Sequence, residues 1–135
     1  MTPRARGKAS PMSGRDVVAR ADAARRFRDI AQAAEGDPSM TQQAAANTVL
    51  AAIAACDAVC GRELGERFRG QDHAQAAAML ARVRGAGAAV RAFRTLIAQK
   101  DSSAYSSDVL GEATLRSLMR ALDQLMQFMD EVLAR

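Results

Sequence analysis

The stretch LRSLMRALDQLMQFMDEV, from Leu115 to Val132, decides the fold. Its Leu115, Leu118, Leu122, Leu125, Met129 and Val132 recur at intervals of three, four, three, four and three residues. On a helix these side chains line up as one seam, which must be covered by other helices. Met119, Met126 and Leu133 widen the stripe. Unbranched methionines at helical spacing read as core or interface rather than as a cofactor box.

Upstream, the same periodicity recurs between punctuating glycines and prolines. Val90, Phe93, Leu96 and Ile97 give a fourth helix, expected from about Ala88 to Gln99. Gly85 and Gly87 separate it from a short third helix, with Asp72 as its N-cap, His73 in its first turn and an end near Arg84. A second helix is expected from near Ser39 to about Phe68, with Gly70 able to end it. Its centre, NTVLAAIAACDAVC (Asn47–Cys60), is apolar nearly all round and should be the most buried part of the chain. The first helix, from about Gly14 to Ala34, carries Val17, Val18, Ala21, Ala24, Phe27, Ile30 and Ala31 as its stripe, with arginines opposite. Gly36 and Pro38 break it. No segment reads as a hairpin or an alternating strand. The expected fold is an all-α, mainly up-and-down bundle of four or five helices.

Composition agrees. The 135 residues are 49% apolar but only 4% aromatic, with no tryptophan. A core of Ala, Leu, Val, Ile and Met favours closely packed helices over sheets. Residues 1–14, MTPRARGKASPMSG, are small, polar and basic and are expected to form a disordered tail, leaving residues 15–135 as a single domain. The tail lacks the apolar run of a signal peptide. The longest apolar run, Val49 to Ala55, is far short of the ~20 residues that cross a bilayer, so a cytoplasmic protein without a membrane partner is expected. Alanine and arginine usage suggests a bacterial genome rich in G and C. The net charge of +4, partly from Arg4, Arg6 and Lys8 in the tail, permits an acidic partner such as RNA.

Chemistry-bearing residues are few. Cys56 and Cys60 are four apart on one helix face and read as two small buried hydrophobes. A zinc site would need more ligands than these and the one histidine, His73, so neither metal nor cofactor is expected. Asp57 stands among Ala, Cys and Val. It either sits at the edge of the stripe, solvated or bonded to an arginine, or lies in a polar pocket inside the bundle. There is no phosphate-binding glycine loop, GxSxG or HExxH. The short third helix and its glycine turn suggest a helix-turn-helix, but its AAAMLARV offers little with which to read base edges.

From about Asn47 onward the chain resembles the HEPN superfamily, and most closely a subgroup of small actinobacterial members. The likeness lies in AAIAACDAVCGRELGERFRGQDH (Ala51–His73), the short helix and glycine break after it, and LIAQKDSSAY (Leu96–Tyr105) ahead of the final helix. The glycines and the QDH of GRELGERFRGQDH are its most specific part. The resemblance implies a helical bundle, often a homodimer, associated with RNA or nucleotides and sometimes with an antitoxin or nucleotidyltransferase partner. Active members are metal-independent endoribonucleases whose motif is an Arg, a gap of four to six residues, and a His before the last helix. A histidine there exchanges protons near neutral pH while the arginine steadies the phosphate.

In this chain that motif would fall in IAQKDSSAYSSDVLGEA (Ile97–Ala113), a polar break in the helical pattern, and it is incomplete. Lys100 stands where the basic residue belongs, and Ala104, beside Tyr105, where the subgroup carries histidine. Lysine lacks arginine's bidentate fork, and a methyl group transfers no proton. Arg94 lies earlier, with no histidine following it. Three readings result. The favoured one is a non-catalytic binding module with ligand contacts from Lys100, Tyr105, Asp57 and His73. The second is a ribonuclease of toxin or defence type with a rearranged site, using Tyr105 or His73 for proton transfer. The third is a helical adaptor that binds no nucleic acid.

Overall fold

The computed structural model describes the backbone of residues 8–105 and 110–135, and their side chains except at 100–105. The fold is an all-α bundle, with five helices and one small two-stranded sheet among the described residues. In chain order the elements are β1 (Ala9–Pro11), α1 (Gly14–Glu35), a 3₁₀ turn (Pro38–Met40), α2 (Thr41–Leu64), β2 (Glu66–Phe68), α3 (His73–Leu80), α4 (Gly87–Tyr105) and α5 (Glu112–Leu133).

The seam of α5 organises the core. Leu115, Leu118, Leu122, Leu125, Met129 and Val132 are all buried, and α5 packs chiefly on α2 and α4. Nearly every residue of α2 from Ala51 to Gly61 is buried. The run Pro38–Leu64 is long enough and contains an 18-residue window apolar enough (mean hydropathy 1.6) for a membrane span, but 78% of that window is already buried within the bundle. α1 and α2 pack on each other, and Ala21, Ala24 and Ala31 of α1 and Ala44, Ala45, Ala51 and Ala52 of α2 are all buried in the same core. Side chains this small let two helices approach closely. Cys56 and Cys60 are free thiols in this core. The Cys56 thiol is pushed well up by its hydrogen bond with Cys60 and by burial, which keeps it protonated.

Several boundaries differ from expectation. α2 stops at Leu64 rather than near Phe68, because Gly65 takes a left-handed φ of 75° and its N–H bonds the Gly61 carbonyl. The residues beyond turn into β2, so the chain does contain a strand pair that alternation did not reveal. β1 runs antiparallel to β2, with Ala9 opposite Phe68, Ser10 opposite Arg67 and Pro11 opposite Glu66. Residues 9–14 are therefore ordered rather than part of a disordered tail. The Met12 N–H bonds the Gly65 carbonyl at 2.9 Å, and the Met12 side chain fills the notch left by Gly61, where a Cβ would meet its sulfur at 2.6 Å. Ser13 and Asp16 then close a reciprocal capping box at the start of α1.

Within α1, Val17, Ala21, Ala24 and Ala31 are buried as expected, but Val18 and Ile30 are 60% and 52% exposed. Each lies well round the helix from the centre of that buried stripe. α3 ends at Leu80, short of Arg84, and turns lead to α4. α4 runs on to Tyr105 instead of ending at Gln99. The segment KDSSAY holds neither glycine nor proline, so nothing in it forces the helix to stop. Most of the expected break is thus helix.

Candidate functional site

Asp57 is settled by its neighbours. Its Oδ2 accepts from Arg20 Nε on α1 at 3.1 Å and from Arg67 Nη1 on β2 at 3.2 Å. The carboxylate side chain is 8% exposed, whereas Arg20 and Arg67 keep 30% and 37% of theirs open to water. Burial lifts the Asp57 carboxyl above its ordinary value, and the two guanidiniums oppose the shift without cancelling it. Both sequence readings are partly met, since Asp57 is buried and also bonded to arginines. Through this pairing one carboxylate ties α1, α2 and the strand pair together.

His73 lies on a different cleft. Gln71, Asp72, His73 and Ala74 form one wall, at the start of α3, and Phe93, Arg94, Ile97 and Ala98 of α4 form the other, around a volume of about 440 Å³. The wall at α3 is rigid because Asp72 caps the helix. Its Oδ1 accepts from the N–H groups of Ala74 and Gln75 at 3.1 and 3.3 Å, and its Oδ2 from the Gln75 amide at 2.9 Å. The Gln75 side chain and these backbone donors hold the Asp72 carboxyl below its usual range, so it is a carboxylate at neutral pH. Phe93 and Ile97 are buried and supply an apolar floor. Arg94 is exposed at the rim and makes no ion pair with the described residues.

A guanidinium with no ion pair among the described residues, on the same cleft as a histidine and beside an apolar floor, is suited to an anion with oxygen acceptors, such as a phosphate. Asp72 works against this, because its charge repels a phosphate that comes close to the α3 end.

Of the residues singled out from the sequence, the structure puts His73 in this cleft and leaves Asp57 outside it, paired elsewhere. Lys100, Ala104 and Tyr105 belong to the last turns of α4, and their side chains lie outside the described residues. Arg94 is the residue that sequence reasoning passed over, because no histidine follows it. The histidine precedes it instead, and only the fold-back of α4 against α3 joins the two. Among the described residues no group of three or more His, Cys, Asp or Glu side chains could hold a metal ion. Comparison with protein-family models, curated proteins and solved structures finds no match for this chain.

Proposed function

We propose that the chain is a HEPN-like, non-catalytic module that binds RNA or a nucleotide through a phosphate held in the cleft between the α3 start and α4. One observation carries the reading: Arg94 stands without an ion pair among the described residues on the same cleft as His73. The five-helix bundle and the net charge of +4 are in keeping with it. With Phe93 buried, the described Phe and Tyr residues offer the cleft no open ring face on which a base could stack, so phosphate contacts are the expected source of affinity. Lys100 and Tyr105 remain ligand-contact candidates on the resemblance alone.

The same pairing also favours a second reading, a metal-independent endoribonuclease with His73 as proton-transfer group and Arg94 on the phosphate. Incubation with total RNA in EDTA separates the two. Salt-sensitive binding that Arg94→Ala abolishes, with the RNA left intact, supports the binding module. Cleavage that His73→Ala abolishes makes the protein an enzyme. No binding at low salt leaves an adaptor without a nucleic-acid role.

A further inference from the structure

Arg20 and Arg67 share a small cleft that their pairing with Asp57 alone does not account for. They line it together with Ser10 of β1 and Asp16 of α1, around a volume of about 260 Å³, and Asp57 is not part of the wall. Each guanidinium spends one N–H on Asp57 Oδ2, from Arg20 Nε and from Arg67 Nη1, and makes no other hydrogen bond among the described residues. Both side chains stay partly open to water while the carboxylate behind them is buried. Ser10 lies opposite Arg67 in the strand pair, so its hydroxyl is on the same face of the sheet.

Two guanidiniums drawn onto one carboxylate oxygen leave positive charge in excess on this wall. A surface arginine gives up rotamer freedom when it grips a ligand, but these two are already held by a buried acid. Donors fixed in advance are what an anion site needs. We propose that the cleft binds the phosphate group of a small phosphorylated molecule, with Arg20 and Arg67 donating to its oxygens and Ser10 completing the donor set. Two forks carried by different elements, α1 and β2, suit a tetrahedral anion, whereas a single fork already satisfies a planar carboxylate. The volume lies below the ~300–1,000 Å³ of sites that enclose a whole drug-sized ligand, so the cleft takes the anionic group and leaves the rest of the molecule outside. Asp16 is the opposing charge. Its carboxyl is held below the usual value chiefly by its hydrogen bonds with Ser13, and to a smaller degree by Arg67, so it is a carboxylate at neutral pH. Its Oδ2 accepts from the Ser13 N–H, and it forms no ion pair with either arginine among the described residues, so it limits affinity without occupying the site.

The test is an NMR titration of the full chain with inorganic phosphate at low ionic strength, read at the amides of Ser10, Arg20 and Arg67 and at the two arginine Nε–H groups. Saturable shifts at these residues are expected, and they persist in Arg94→Ala. Acetate at the same ionic strength binds more weakly. Arg67→Lys keeps a charge beside Asp57 but loses the fork, and weakens phosphate binding by on the order of tenfold. Asp16→Asn can still accept from the Ser13 N–H, and it tightens binding by removing the repelling charge, a gain that damage to the fold would not produce. Circular dichroism checks that each variant keeps its helices. No saturable shift at these residues, shifts that vanish in Arg94→Ala, or an Asp16→Asn variant that binds no more tightly overturns the proposal. Acetate that binds as tightly as phosphate overturns the assignment to phosphate. The site shares no residue with the His73 cleft, so the outcome is independent of any RNA-binding result.

Discussion

His73, in the first turn of α3, and Arg94, on α4, line one cleft although the rest of α3, a glycine turn and the first turns of α4 lie between them in the chain. If this cleft holds a phosphate, removing either side chain acts on binding but in different ways. Arg94→Ala should lower affinity for single-stranded RNA about equally for all sequences and reduce the slope of log K against log salt by about one. Arg94→Lys keeps the charge but loses the fork, and should recover only part of the affinity. His73→Ala removes a hydrogen-bonding ring from the cleft and should weaken binding less than Arg94→Ala does. Filter binding at two salt concentrations reads all three, and an unchanged salt slope for Arg94→Ala would remove the arginine from the site.

Asp57 gives a stability signature with a defined sign. Its carboxyl is raised above 3.8 in the folded chain, mainly by burial. The folded state therefore holds this proton more tightly than the unfolded state does. The group's contribution to stability is greatest below the unfolded value and declines as pH rises through the folded one. The Tm of the wild type minus that of Asp57→Asn should fall as pH rises from about 3 and then level off. A difference that grows with pH would mean that Arg20 and Arg67 outweigh burial.

The helices were legible from their apolar periods and, at several ends, from glycine or proline, such as the α5 leucines after Gly111 and the α1 stripe before Gly36 and Pro38. The strand pair was not, because β1 and β2 are three residues each and contain no alternation long enough to detect. What orders β1 is tertiary: Met12 seated on Gly61 and backbone bonds to Gly65 and Arg69. Asp57 was visible as an anomaly in an apolar helix, yet its partners Arg20 and Arg67 come from elements whose side-by-side placement only the fold supplies. Arg94 escaped for the same reason, since a pattern that runs forward along the chain cannot find a histidine brought back from behind.

The α5 seam predicts where truncation is costly. Leu122 is fully buried between α5 and its neighbours, so Leu122→Ala removes apolar contacts and leaves a cavity. A loss of about 2–5 kcal/mol is expected. Val18, at 60% exposure, makes few such contacts, and Val18→Ala should stay within about 0.5 kcal/mol of the wild type. Urea unfolding with a common m-value measures both, and similar losses at the two positions would contradict the packing.

Two glycines should respond with opposite sign to the same substitution. Gly36 follows α1 in an ordinary right-handed conformation, with φ near −80°, and a Cβ there would meet nothing within 4 Å. Gly36→Ala therefore restricts only the unfolded chain and should stabilise by about 0.4–1 kcal/mol. Gly65 also has open space for a Cβ, but its φ of 75° lies in the left-handed region that ends α2 and starts β2. There alanine carries backbone strain, costing about 1–2 kcal/mol. The strain falls at the junction holding Met12 and the strand pair, so local loosening should show first at β1. Thermal unfolding gives the two signs. Amide exchange at residues 66–68 tests the location, because protection of β2 should fall in Gly65→Ala and be unchanged in Gly36→Ala.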